Sequence, residues 1–263
     1  MKTLLALLLL LPWSPVDDEW TPNHELKPEI AEDVADVPAL DFRVGDDEHK
    51  RVFLIGLDEK AKAPRKGYGL IVVLPGGGGG PDFTSFVRRI HQNAVPEDFL
   101  TLQLVAPEWK EGQGKTLVWP TEQSRYSPAK FTTEEFVREA IAAVQKKTKI
   151  DKKRILSLSW SSGGPPVYSL TLQKKTPLTG SLILMSVFKP DELPSLKRAK
   201  GYSYYLMQSP EDEVTPFKHA EKAKEALDKV KARVELESYE GGHGWPMPVY
   251  PRLKKAFEWL LDG

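Results

Sequence analysis

The chain has 263 residues, with 37 lysines and arginines balanced by 37 aspartates and glutamates, and no cysteine. That length gives room for one domain with a large core. The charge balance gives no sign of a nucleic-acid partner or an anionic membrane surface, and the lack of cysteine excludes disulfides, thiolate metal sites, a cysteine nucleophile and a lipid-modified cysteine anchor.

At the N-terminus, Lys2 precedes an apolar run from Leu4 to Leu11, which ends at Pro12. This is the short positive region and apolar stretch of a secretory signal peptide. At about eight residues the run falls well short of the roughly 20 that a membrane-spanning helix requires. Residues 1–16 are therefore expected to be a signal peptide, with no A-x-A pattern to fix its cleavage site, and the mature protein to be periplasmic or extracellular. Residues 17–38 are acidic and punctuated by prolines, and read as a linker or loosely docked arm. The folded domain is expected over residues 39–263.

Strand-like and helix-like segments then alternate. Residues 51–57 and 70–74 read as strands, and the second runs directly into Pro75 and the glycine run Gly76 to Gly80. A helix is expected over 83–94 and a strand over 101–106, followed by a long loop, 107–128, that carries Trp109, Trp119 and Tyr126. Thr132 and Glu135 form a capping box that opens a helix with Phe136, Val137, Ala140, Ile141 and Val144 at helical spacing. The strand over 155–159 leads into Ser159-Trp160-Ser161-Ser162-Gly163, and Pro165 and Pro166 then fall in the first turn of a helix, where backbone N–H groups have no intrahelical partner. Further strands are expected over 182–185, 204–207 and 233–239. Phe217, Ala220, Leu227 and Val230 trace one helix face, and Tyr250, Leu253, Phe257, Leu260 and Leu261 trace a terminal helix. This alternation implies a mostly parallel sheet covered on both faces, in which ligands collect at the carboxyl ends of the strands.

The chemistry lies after those strand ends. A strand, a sharp turn bearing Ser161 and a helix make the grammar of a nucleophile elbow, with Ser159 where the first glycine of G-x-S-x-G usually stands. A serine hydroxyl is a poor nucleophile until a base takes its proton and an acid orients that base. Among five histidines, only His243 sits in a flexible loop after a late strand, between Gly242 and Gly244. The carboxylate should fall between Ser161 and His243 in the chain; Asp212, directly after the strand over 204–207, is the first choice and Asp191 the second. Glu211 and Glu213 read as solvated loop charges. An oxyanion hole needs the backbone N–H of Ser162 and one from the loop after an early strand, which the glycine run supplies. No Gly-Lys-Ser/Thr follows that run, so it is not a phosphate loop.

With these motifs in place, the chain resembles the α/β-hydrolase superfamily over about residues 40–261. It looks most like the small esterases of the phospholipase/carboxylesterase, dienelactone-hydrolase-like and polyhydroxybutyrate-depolymerase-like groups. The glycine loop, the elbow at Ser161, Asp212 with Pro216 four residues on, and Gly242-His243-Gly244 carry the resemblance. It implies an α/β-hydrolase fold and an exported serine hydrolase that cleaves small-molecule carboxylic esters through an acyl-enzyme, with no metal or organic cofactor and no membrane span. Pro75 stands where the family usually has histidine, which bears on whether Gly77 or Gly78 is the second oxyanion donor; Gly77 is favoured. Trp119, Trp160 and Trp245 are candidates for substrate contact. A serine peptidase on the same fold, or a non-catalytic binding protein that retains it, are the alternatives.

Overall fold

A computed structural model describes residues 34, 36–113 and 117–263. The expected signal peptide and nearly all of the expected linker lie outside the described residues. Val34 and Val37, near the end of that linker, are buried against the domain, and the Val37 carbonyl accepts a hydrogen bond from Arg88.

Eight strands form one sheet: β1 (Ala39–Arg43), β2 (Arg51–Ile55), β3 (Tyr68–Leu74), β4 (Phe99–Leu104), β5 (Ile150–Trp160), β6 (Gly180–Leu184), β7 (Ser203–Gln208) and β8 (Arg233–Ser238). Their order is β1-β2-β4-β3-β5-β6-β7-β8. Only the β1–β2 and β2–β4 pairs are antiparallel; the rest run parallel. Among the described residues, five helices cover the sheet: α1 (Thr84–Ala94), α2 (Thr133–Lys147), α3 (Gly164–Thr171), α4 (Lys218–Lys229) and α5 (Val249–Leu261). This is the α/β-hydrolase arrangement.

Alternation along β3 divides the core. Leu70, Val72 and Leu74 pack with residues of α2, α3 and α4, while Ile71 and Val73 pack with residues of α1 and α5. Both faces of the central strands are therefore dry, which is why they read in sequence as nearly unbroken apolar runs. The capping box at Thr132 and Glu135 is present, and the first turn of α3 holds its prolines as expected.

The structure differs from the sequence reading at two strands. β1 was not foreseen: it is an edge strand of alternating exposure, tied down by Asp41, whose carboxylate accepts from Arg51 at 2.7 Å. β5 begins at Ile150, five residues before the apolar run, because its charged first half extends to the rim of the sheet, where Arg154 donates to the Gly67 carbonyl at 2.9 Å. Among the described residues, no helix is long and apolar enough to cross a membrane.

Candidate active site

The site is assembled at the carboxyl ends of β3, β5, β6, β7 and β8. Immediately after β5 the backbone of Ser161 has φ 50°, in the left-handed region that a residue with a Cβ rarely enters. The turn that follows, Ser161–Gly163, is a single 3-10 turn leading into α3. Gly163 is obligatory there, since a Cβ at that position would overlap the carbonyl of Leu74 at the end of β3. Ser159, in place of the usual glycine, is wholly buried and its hydroxyl has no partner.

The three residues singled out for catalysis come together. Ser161 Oγ lies 3.0 Å from His243 Nε2, and His243 Nδ1 lies 2.8 Å from Asp212 Oδ2. A carboxylate can only accept, so the proton sits on Nδ1 and Nε2 is left bare toward the serine hydroxyl. The Asp212 side chain has no exposed surface. Burial opposes its ionisation, but the hydroxyl and amide of Thr215, together with His243, outweigh that and hold the carboxyl below its usual value. Asp191, the second choice, is exposed in a 3-10 turn over Pro190–Glu192 and makes no contact with His243.

Several residues that support this pair were not found in the sequence. The Thr215 hydroxyl donates to Asp212 Oδ2 at 2.6 Å, and the amides of Val214 and Thr215 donate to Oδ1 at 2.9 and 2.7 Å. Gln208, at the end of β7, donates its amide to Asp212 Oδ2 at 2.7 Å. The histidine loop is fastened to the aspartate loop by Gly242 N–H on Ser209 Oγ and Gly241 N–H on the Glu211 carboxylate, both at 3.1 Å. Glu211 is thus a structural acceptor rather than only a solvated charge. These are ordinary polar residues in a loop, and nothing in their spacing distinguishes them from surface residues.

The glycine run forms a tight turn over the elbow. Gly79 N–H donates to Gly76 O at 2.9 Å, with Gly77 at φ 55°. The Ser162 hydroxyl donates to Gly77 O at 2.8 Å. Because C=O and N–H point oppositely across a trans peptide, that bond turns the Gly78 N–H away from Ser162.

The tryptophans divide. Trp119 is 2% exposed and donates its indole N–H to Pro75 O at 3.1 Å, fastening the loop of residues 107–128 to the glycine run. Trp160 has no exposed surface and packs edge-on against Phe83 and Trp245, with ring centroids 5.3 and 5.0 Å apart. Of the three candidates these two are buried, and both pack behind the elbow and the glycine turn. Trp245 is half-buried against Phe86. Among the described residues, the large apolar side chains that stand out in solvent, Val214 and Met247, are 66% and 68% exposed and lie on the loops that carry Asp212 and His243. No group of three or more histidine, aspartate or glutamate residues suited to a metal ion occurs among the described residues.

The phospholipase/carboxylesterase family model matches residues 95–249, which include the elbow, Asp212 and His243. No curated protein matches the sequence. Among solved structures, a Bacillus cereus carboxylesterase superposes with a TM-score of 0.57 at 17% identity, covering 77% of this chain and 92% of its own. A thermostable esterase gives a TM-score of 0.61 at 19% identity, covering 87% of this chain and 63% of its own. Esterase 2 of Thermogutta terrifontis, phosphorylated by paraoxon, gives 0.58 at 15% identity, covering 85% and 94%.

Proposed function

The chain belongs to the phospholipase/carboxylesterase family of α/β-hydrolases, and we propose that it is an exported serine esterase working through Ser161, His243 and Asp212. The observation that carries this reading is the unbroken path from Ser161 Oγ to His243 to the buried Asp212 carboxylate, with bonds of 3.0 and 2.8 Å. Ser161 Oγ attacks the ester carbonyl while its proton passes to His243 Nε2, and the carbonyl electron pair moves onto oxygen. The amides of Ser162 and Gly77 receive that oxyanion. Collapse breaks the bond to the alcohol oxygen, which takes the proton from His243. Water then attacks the acyl-enzyme, His243 again holds the proton, and the carboxylic acid leaves as Ser161 regains its hydrogen. Asp212 fixes the imidazole tautomer throughout. The adduct of the Thermogutta esterase with an organophosphate supports a serine nucleophile here. Export rests on Lys2 and the apolar run Leu4 to Leu11 alone.

The substrates we assign are soluble esters with short acyl or aromatic groups. Residues 185–202, where an interfacial enzyme would carry a lid, form two short 3-10 turns bearing Lys189, Asp191, Glu192, Lys197 and Arg198. They offer no long apolar face to a lipid surface. Val214 and Met247 are exposed apolar side chains on the loops that carry Asp212 and His243.

A fluorophosphonate probe tests the reading. It should label wild type at Ser161 and leave Ser161→Ala unlabelled, with kcat on p-nitrophenyl butyrate lowered about 10⁴-fold. Asp212→Asn should be severely impaired and Asp191→Asn unaffected. A fully active Ser161→Ala protein would end the proposal.

A further inference from the structure

The three catalytic residues are joined a second time, behind the reaction. Ser161 O accepts from the Ser186 hydroxyl at 2.8 Å, Ser186 N–H donates to Gln208 Oε1 at 3.0 Å, and Gln208 Nε2 donates to Asp212 Oδ2 at 2.7 Å. With Asp212 to His243 and His243 to Ser161 Oγ, these bonds close a ring. The ring crosses the ends of β5, β6, β7 and β8. We infer that Gln208 and Ser186 are positioning residues that set the distance between the nucleophile elbow and the acid, and so place both ends of the triad together. This rests on the triad reading above.

The environment of Gln208 fits no other side chain of its size. It is 1% exposed, so its amide cannot exchange these partners for water. Its nitrogen faces the Asp212 carboxylate and, at 2.6 Å, the Thr215 carbonyl, which are acceptors; its oxygen faces Ser186 N–H, a donor. Reversing the amide would set oxygen against two acceptors and NH₂ against a donor, so the orientation follows from the partners. Glutamate would bring a second carboxylate against Asp212. The approach of Ser186 is built in as well. Met185, just before it, holds φ 37° without being glycine, and Gly164, at the start of α3, has no Cβ where one would overlap the Ser186 side chain. Ser161 O therefore receives both the Ser186 hydroxyl and Gly164 N–H. The elbow, strained at Ser161, is anchored from the side of the acid.

The test is a double-variant cycle on purified protein with p-nitrophenyl butyrate. Ser186→Ala and Gln208→Leu should each lower kcat about tenfold while KM stays within about twofold, because the bonds hold geometry rather than substrate. The double variant should lose little more than the worse single, since either cut opens the same ring. Gln208→Glu, though nearly the same shape, should fall below Gln208→Leu. If Gln208→Leu is insoluble, Gln208→Asn takes its place in the cycle, keeping the amide but withdrawing it by one methylene. Unchanged kcat in Ser186→Ala, fully additive losses, or Gln208→Glu as active as wild type would each overturn the inference. Ser161→Ala assayed alongside keeps the two readings apart: if it retains activity the triad is wrong, whereas if it is inactive and the ring variants are not impaired, only the ring is wrong.

Discussion

On the nucleophile side of the site, Ser161 and the glycine turn are fixed by what the backbone excludes: a Cβ at Gly163 meets the Leu74 carbonyl, Gly77 and Ser161 hold positive φ, and Trp160 fills the space beneath. On the acid–base side, Gly241 and Gly242 also hold positive φ, but a Cβ at either would meet nothing closer than 3.7 Å, and side-chain and amide donors from Gln208, Val214 and Thr215 hold the Asp212 carboxylate instead. Steric exclusion acts at hard contact and tolerates no added atom. A hydrogen-bond network is shared among several donors, so losing one leaves the others. The first side should therefore fail abruptly under substitution and the second by degrees.

Among the residues that support Ser161, His243 and Asp212, the largest effect is expected at Gly163. In Gly163→Ala the new methyl group can only be accommodated if the elbow or the end of β3 moves. Overpacking of this kind costs about 1–3 kcal/mol of stability, and a shift of about 1 Å at a nucleophile costs on the order of 10²-fold in rate. Two residues before Ser161, near the end of β5, Ser159→Ala should behave oppositely. It removes a buried hydroxyl that bonds to nothing, so activity should persist and the melting temperature hold or rise. Thermal melts and kcat for the pair decide the matter; a tolerant Gly163→Ala would show that the elbow is not sterically fixed.

Thr215→Val probes the other side. It deletes the hydroxyl 2.6 Å from Asp212 Oδ2 but keeps the shape and both amide donors to Oδ1. A hydrogen bond to a charged group contributes about 1.5–3 kcal/mol, and with the remaining donors in place about a tenfold loss in kcat/KM is expected, with the fold intact. A loss as large as that of Asp212→Asn would mean that the network has no redundancy and that the contrast between the two sides is false.

The same contrast explains what was legible in the sequence. Steric requirements leave small residues at fixed spacing, so Ser161 with Gly163, the glycine run after β3, and Gly242 and Gly244 around His243 could be read directly. Apolar alternation and the capping box placed seven of the eight strands and all five helices. β1 escaped because it is a short edge strand, with Leu40 and Phe42 half-buried between the exposed Ala39, Asp41 and Arg43, so that no apolar run marks it. Ser186, Gln208 and Thr215 escaped because hydrogen-bond partners are chosen in space, and a glutamine or threonine at a strand end has no pattern along the chain. The burial of Trp119 and Trp160 was not legible for a related reason: proximity in sequence to Ser161 or to a long loop does not say which face an indole turns to the core.

A second histidine environment, away from the site and expected to leave activity unchanged, sharpens the comparison. His91, in α1, is half-buried and has a hydroxyl, Thr101 Oγ1 at 3.0 Å, where His243 has a carboxylate. With no anion to favour the imidazolium, burial lowers the His91 pKa from 6.5 to about 4. The unfolded chain then binds a proton at pH values where the folded protein does not. The stabilisation from keeping His91 neutral is whole above pH 6.5 and is lost progressively as pH falls toward 4, by up to about 3 kcal/mol. Below pH 4 both states are protonated and this loss levels off. Urea denaturation of wild type and His91→Gln between pH 7 and 4 should therefore give curves that converge as pH falls, the variant lacking the titrating ring but retaining an amide for Thr101. Parallel curves across that range would show that His91 carries no such penalty, and that a buried imidazole in this fold does not need an anion to be charged.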